Sequence, residues 1–397
     1  MTSDDYDPFV TGPHLVGSRT WQARDEARGR LFTCEIWYPA ETGNPGGAGP
    51  GGQQPSEADE NGELREATPL PGPHPLVVFS HFSGGGRRMS SFLGRHLASH
   101  GYAVAAMDHS EVAAPELAAQ PGETPEQRSA RVDAVMASRV PDVQFLLAHL
   151  TSGKPPTTAD SERPRAATDS ERPRAATDSG RPRAAADSNG GAPAAGAGDG
   201  RPAAVSDVEL DADQLGLVGH SFGGWTALAV PNVEPRVRAV AALAPGGGSN
   251  PKPGILPLRL DFAWGRDVPT LYLAADGDVG IPAEGVAELF DRTPATRRMF
   301  TLQRADHQHF LDNVEMMHEF VRSMTFTGDA AWIPGAMRPI TELCSGESAH
   351  LFTRGLTLAH LDAALRQSPA AQQFLDGDVV GELASRDVEA TEYRGPS

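Results

Sequence analysis

The chain has 397 residues, enough for one large α/β domain with additions or for two ordinary domains. Its formal charge of −18 argues against nucleic acid and anionic membrane surfaces as partners. Glycine (43) and proline (34) make up about a fifth of the chain against about 12 % on average, and the excess concentrates at residues 43–73 and 153–206.

From the N-terminus, MTSDDYDPFV has neither a basic nor an apolar segment, so no secretory signal is read and a cytoplasmic protein is expected. Residues 30–38, RLFTCEIWY, alternate as a strand does. Residues 43–73 lack apolar periodicity and are expected to form a flexible loop. PLVVFS, residues 75–80, is a continuous apolar run, the pattern of a strand buried on both faces. Phe92, Leu93, His96 and Leu97 follow at helical spacing, and YAVAAMD, residues 102–108, is the next strand. A helix is predicted from about Pro125 to Leu150, broken or kinked near Pro141.

Residues 160–188 hold a nine-residue repeat, DSERPRAAT, DSERPRAAT, DSGRPRAAA. It is too short and too polar to build a core, so residues 153–206 are expected to be a low-complexity insertion in a loop. Four further strands are predicted at 215–220, 237–244, 269–276 and 298–303, separated by helical or loop stretches. Strand alternating with helix predicts a mostly parallel central sheet with helices on both faces. Residues 1–325 would form this unit. Residues 326–397 would form a helical extension docked on it, with Leu358, Leu361 and Leu365 on one helix face. No stretch approaches the ~20 apolar residues of a membrane span, so membrane insertion is not expected. Cys34 and Cys344 lie far apart, which predicts free buried thiols rather than a disulfide framework.

In such a sheet, ligands bind beyond the carboxyl ends of the strands. Ser221 sits at such an end, in Gly219-His220-Ser221-Phe222-Gly223, with a strand before it and a helix after it. G-x-S-x-G in that context is a nucleophile elbow. The turn is so sharp that neighbours with side chains would clash, and the Phe222 N–H becomes a donor for a developing oxyanion. The chain order required is serine, then acid, then histidine. LYLAADGDVGIP offers Asp276 and Asp278, and LQRADHQHF offers His307 and His309. A second oxyanion donor must come from the glycine-rich loop VVFSHFSGGGRR, residues 77–88.

Residues 75–111, PLVVFSHFSGGGRRMSSFLGRHLASHGYAVAAMDHSE, together with GHSFGG, HQHF, YDPFVTGPHLVGSRT and EIWYPA, resemble the platelet-activating factor acetylhydrolases and their bacterial, dienelactone-hydrolase-like relatives. The resemblance covers roughly residues 6–38, 75–150 and 207–325. It implies an α/β-hydrolase fold and a serine carboxylic ester hydrolase acting on short-chain acyl or acetyl esters, with phospholipid-like esters among them. It also implies Ser221 as nucleophile, His307 as general base, and the N–H groups of Ser83 and Phe222 as oxyanion donors. Phe82 stands where relatives commonly carry glycine, so the Phe82 N–H is a second candidate donor. The mammalian members take their acid from the strand after the elbow helix, but here that strand ends AALAPGGG without a carboxylate. The acid must come from the next strand. Asp278 stands four residues before Pro282, as the acid does in many α/β hydrolases, and is preferred over Asp276.

No cofactor or metal is called for. The alternative reading of Asp306, His307, His309, Asp312, His318 and Glu319 as metal ligands competes with a helix capped by Asp312, with Glu315 as its capping-box partner. In that helix Val314, Met317, Val321 and Met324 would face the core and leave His318 off that face. His220 is expected to be packed and hydrogen-bonded on the face opposite Ser221, His81 to pin the oxyanion loop, and Arg87 and Arg88 to be exposed. Competing functions are a lipase or cutinase-like polyester hydrolase and a non-catalytic binding protein of the same fold.

Overall fold

The computed structural model describes residues 6–41, 58–59, 62–109, 122–151 and 205–395. Ten strands form one sheet among them: β1 (Leu15–Asp25), β2 (Arg30–Ala40), β3 (Glu63–Arg65), β4 (His74–Ser80), β5 (Ala103–Met107), β6 (Leu210–His220), β7 (Val237–Leu243), β8 (Thr270–Ala275), β9 (Arg297–Leu302) and β10 (Ala390–Tyr393). The helices are α1 (Ser91–Ser99), α2 (Pro125–Thr151), α3 (Phe222–Ala229), α4 (Ala283–Arg292), α5 (Val314–Ser323), α6 (Ile333–Ala336), α7 (Gly346–Ala364), α8 (Pro369–Asp376) and α9 (Val379–Ala384). The strand order is β10-β9-β8-β7-β6-β4-β5-β2-β1-β3. The six central strands β5, β4, β6, β7, β8 and β9 are parallel, while β2 and β10 join antiparallel at the two sides. A run of parallel strands puts the ends of β4, β5, β6, β8 and β9 on one edge, where the loops carrying Ser83, His109, Ser221, Asp278 and His307 all begin.

Alternate residues of each central strand serve opposite faces. In β4, Leu76 and Val78 pack with α2, α3 and α4 on one side. Val77 and Phe79 pack with α1 and α7 on the other. Both faces are covered, which is why these strands read as continuous apolar runs. Pro141 lies within α2 without ending it.

Three strands escape the sequence reading. β1 has Arg19, Arg24 and Gln22 along it, and its pairing with β2 is what makes it a strand. β3 lies inside the stretch expected to be a flexible loop, and that expectation is corrected: Glu63–Arg65 pair in parallel with β1, and Pro69 bridges Ala40. β10 closes the far edge on β9. The loop expectation for residues 43–57 and the nine-residue repeat at 160–188 lie outside the described residues. The C-terminal residues supply both β10 and α7, which packs on α1, β7 and β8. Cys34 is buried and Cys344 half-buried, both as free thiols. No helix among the described residues is long and apolar enough to cross a membrane.

Glu63 explains why so short a strand as β3 is held. Its carboxylate is fully buried and accepts from the Ser18 hydroxyl (2.9 Å), the Trp37 indole (3.1 Å), Arg88 (2.9 and 3.0 Å) and Arg95 (3.2 Å). Buried Glu35 beside it takes Arg65 (2.5 Å), Arg88 (2.6 Å) and Arg87 (3.2 Å). Arg87 also reaches Asp108 at 2.5 Å. The expectation that Arg87 and Arg88 are exposed is therefore corrected: both are committed to ion pairs that anchor the loop after β4. Removing one partner from such a cluster leaves buried charge uncompensated and costs ~3–5 kcal/mol. Glu63→Ala is expected to lower unfolding stability by about 3 kcal/mol in urea titrations, and Glu26→Ala, on the surface, by less than about 0.5 kcal/mol.

Candidate active site

The residue after β6 has a constrained backbone. Ser221 has φ 59° and ψ −115°, a left-handed conformation that is costly for a residue with a side chain. It persists because its surroundings fix it. The Ser221 N–H donates to the Leu243 carbonyl (2.8 Å), and its own carbonyl accepts from Trp225 N (3.0 Å) and Gly246 N (3.1 Å). The flanking glycines have a steric cause. A β-carbon on Gly219 would lie 2.1 Å from the Gly223 carbonyl oxygen, and one on Gly223 would lie 1.9 Å from the Ser80 carbonyl oxygen. So α3 starts in contact with the end of β4 and with His81, the first residue of the loop that follows it. Phe222 is the first residue of that helix, where an N–H has no partner within the helix.

The structure brings His307 and Asp278 together. His307 Nδ1 donates to Asp278 Oδ2 at 2.6 Å. The other carboxylate oxygen of Asp278 accepts from Gly280 N (2.9 Å) and Ile281 N (2.8 Å), and the residue is buried. These bonds leave Asp278 no freedom to turn and fix the proton of His307 on Nδ1, so Nε2 is the atom able to accept. Burial works against charge on His307, but the charge and hydrogen bond of Asp278, helped by Asp306, outweigh it and raise its pKa above the ordinary value. The rings of His307 and His220 lie 4.5 Å apart, which seats His307 beside the residue preceding Ser221.

Asp276 has other partners. It accepts from Ala305 N (3.0 Å) and Arg338 (3.2 Å), and so positions the loop before His307. His220 is buried as expected, but it packs against His307, Phe82 and Phe310. Neither of its ring nitrogens reaches a partner at normal hydrogen-bond geometry among the described residues, which corrects the expected hydrogen bonding. Burial and nearby His307 hold it well below the ordinary histidine range, so it is a neutral ring beneath the catalytic candidate.

His307 and His309 face different carboxylates. His309 is buried: its Nδ1 faces both the Asp306 N–H (3.0 Å) and a carboxylate oxygen of Asp306 (2.9 Å), and its Nε2 donates to the Cys344 carbonyl at 3.2 Å. His318 bonds the second oxygen of Asp306 and the Arg338 carbonyl (3.0 Å). His318 is fully buried and Met324 is exposed, so the predicted core stripe of α5 is corrected. Asp306 supplies the reason, because it gives His318 a buried acceptor. Asp312 does not cap α5. Its carboxylate accepts from Ser91 N (2.8 Å), the Ser91 hydroxyl (2.5 Å) and Phe92 N (3.0 Å), and so caps α1. Glu315 likewise accepts from Gly346 N at 2.7 Å, at the start of α7. Both acidic groups are cap residues, but of helices distant in sequence.

Ser83 and Phe82 lie in the loop after β4, opposite Phe222. Neither makes a main-chain N–H hydrogen bond among the described residues. The Phe82 ring packs on His220 at 5.7 Å, and Gly85 leaves room for it: a β-carbon there would lie 2.5 Å from the ring. His81 pins the loop as expected, with its Nδ1 donating to the Phe82 carbonyl at 2.6 Å.

A family model described as platelet-activating factor acetylhydrolase, isoform II, matches residues 52–133. That segment holds the loop after β4 but not Ser221, Asp278 or His307. No curated protein matches the chain. Among solved structures, a ferulic acid esterase from Streptomyces cinnamoneus matches with a TM-score of 0.58 and 22 % identity, over 97 % of each chain. The chain has the α/β-hydrolase fold of that esterase, and over residues 52–133 it is similar to the acetylhydrolase family.

The buried Asp306–His309 pair has its own pH signature. Burial opposes charge on His309, but the hydrogen bond and charge of Asp306 prevail, and the imidazole is pushed up to about 9. A histidine raised on folding contributes stability that is full below its unfolded value near 6.5 and is lost as pH rises through about 9. Thermal or urea unfolding is therefore expected to show a loss of roughly 2–3 kcal/mol between pH 6.5 and 9.5. His309→Gln is expected to be less stable at pH 6.5 and to lack most of that slope.

Proposed function

We propose that this chain is a serine carboxylic ester hydrolase acting through Ser221, His307 and Asp278. One observation carries the reading: His307, held by buried Asp278 at 2.6 Å, is packed on His220, next to a serine in a left-handed conformation. The matched family and the structural neighbour are both described as ester-cleaving enzymes, which supports the same coarse class.

In this mechanism His307 Nε2 takes the proton of Ser221 as Oγ attacks the ester carbonyl. Asp278 keeps the imidazole in the required tautomer and stabilises the imidazolium. The oxyanion is held by the Phe222 N–H and by an N–H of the loop after β4, at Ser83 or Phe82. His307 then protonates the leaving alcohol, and water hydrolyses the acyl-serine along the same path. Short-chain acyl or acetyl esters are the proposed substrates, by similarity to the acetylhydrolase family.

The test is hydrolysis of p-nitrophenyl esters from acetate to decanoate, with a feruloyl ester alongside. Activity greatest on acetate to butyrate, and lowered at least 10³-fold in Ser221→Ala, is expected. Undiminished activity in that variant would overturn the assignment, and preference for the decanoate or the feruloyl ester would overturn the substrate class.

Asp278→Asn is expected to lower kcat by an order of 10³–10⁴, the effect of holding the wrong tautomer, and Asp276→Asn by less than about tenfold. Because His307 must be neutral to act as base, kcat/KM is expected to rise with pH through a group above the ordinary 6.5. A rise centred below 6.5 would contradict the His307–Asp278 pairing.

A further inference from the structure

Beneath the loop after β4 lies a second, fully buried Ser-His-Asp chain that cannot meet substrate. The Ser80 hydroxyl lies 3.1 Å from His109 Nε2, and His109 Nδ1 lies 2.9 Å from Asp142 Oδ2. All three residues are buried, and Asp142 is tied to the β1–β2 hairpin by Arg28 (2.7 Å) and Arg30 (2.6 Å). Arg139, on α2 and fully buried, sits at the centre. It donates to the Ser80 hydroxyl (3.0 Å), the His81 carbonyl (2.7 Å) and the Phe82 carbonyl (3.3 Å). Its guanidinium also lies 4.3 Å from the centre of the Phe222 ring.

The proton directions in this cluster are determined. The His109 N–H donates to His81 Nε2 at 3.1 Å, so His81 carries its proton on Nδ1 and gives it to the Phe82 carbonyl. Burial, with Arg139 nearby, holds both histidines well below their ordinary range, so they are neutral. Neutral His109 donates from Nδ1 to Asp142 and accepts the Ser80 hydroxyl proton at Nε2. That leaves the Ser80 oxygen as acceptor for Arg139. The Phe82 carbonyl thus receives His81, Arg139 and the Gly85 N–H (3.1 Å). In a trans peptide the carbonyl and the next N–H point in opposite directions. Pulling the His81 and Phe82 carbonyls inward therefore turns the N–H groups of Phe82 and Ser83 away from Arg139.

We propose that Arg139 is a positioning residue that fixes the two halves of the oxyanion hole against each other, holding the His81 and Phe82 carbonyls on one side and the Phe222 ring on the other. The inference rests on the ester-hydrolase reading. Two carbonyls and one hydroxyl need a planar fork of several N–H donors, which arginine has and lysine lacks.

The test compares Arg139→Gln, Arg139→Lys and Ser80→Ala with the parent enzyme and with Ser221→Ala. Steady-state constants on p-nitrophenyl butyrate are taken per site titrated with an organophosphate, or per mole of folded protein for Ser221→Ala, and inhibition is measured with an alkyl trifluoromethyl ketone, whose tetrahedral adduct uses the oxyanion hole. Arg139→Gln is expected to lower kcat by an order of 10², with KM within about threefold and the ketone Ki raised in step with the loss in kcat/KM. Arg139→Lys should fall between it and the parent, and Ser80→Ala should lose about tenfold. A folded Arg139→Gln with kcat within threefold of the parent, or one that loses kcat but keeps ketone affinity, overturns the proposal. If Arg139→Gln does not fold, the same two criteria are applied to Arg139→Lys and Ser80→Ala. Loss of activity in Ser221→Ala separates either result from failure of the hydrolase reading, which would leave that variant active.

Discussion

The contact between the start of α3 and the end of β4 governs the rest of the site. A β-carbon on residue 223 would stand 1.9 Å from the Ser80 carbonyl oxygen, so only glycine lets the elbow close on the strand beside it. Two consequences follow from that one approach. Ser221 is lifted out of the sheet in a conformation it would not choose alone. The start of α3 also abuts the loop that leaves β4, the closeness that the proposed oxyanion hole requires. In the proposed mechanism the oxyanion donors are backbone groups set in place before any substrate arrives, which is where electrostatic catalysis gains most.

Buried polar clusters then hold the three loops that the elbow needs. Glu35 and Glu63, with their arginines, anchor the far end of the loop after β4. Asp306 gathers His309 and His318 and fixes the turn that carries His307. Asp142 and Arg139 support the near end of the loop after β4 from α2. Buried charge of this kind gives little net stability compared with an apolar core, because desolvation consumes much of the Coulombic gain. It gives geometry, since each carboxylate accepts from several directed donors at once. α7 connects two of these regions by packing on both α1 and the turn beginning at His307.

Much of this arrangement was legible in the chain. The central strands read directly, because burial on both faces leaves continuous apolar runs such as PLVVFS and VRAVAALA. The tight strand-to-helix turn at Ser221 read from its glycines, and the pairing of Asp278 with His307 from their order after later strands. What the sequence hid depends on long-range partners. Glu63–Arg65 carry no strand pattern, and only pairing with β1 and the arginines around Glu63 makes them one. Asp312 and Glu315 have the spacing of a local capping box, yet each caps a helix far away in sequence. His318 looked like a surface residue because nothing in its own helix shows that Asp306 waits for it. Arg139 and Asp142 share one turn of α2 with no periodic signal, since their partners come from β4, the loop after β5 and the β1–β2 hairpin. Local periodicity reports which face is buried, and it is silent on which buried charges have found each other.

An activated nucleophile at the strained serine after β6 is what the proposed chemistry requires before anything else. Reaction with a fluorophosphonate, followed by intact-mass measurement and peptide mapping, tests it without any assumption about substrate. One adduct per chain is expected, on Ser221, formed faster as pH rises through the His307 titration and strongly slowed in Asp278→Asn. An adduct on a different serine, or none in folded protein at pH 8, would contradict it.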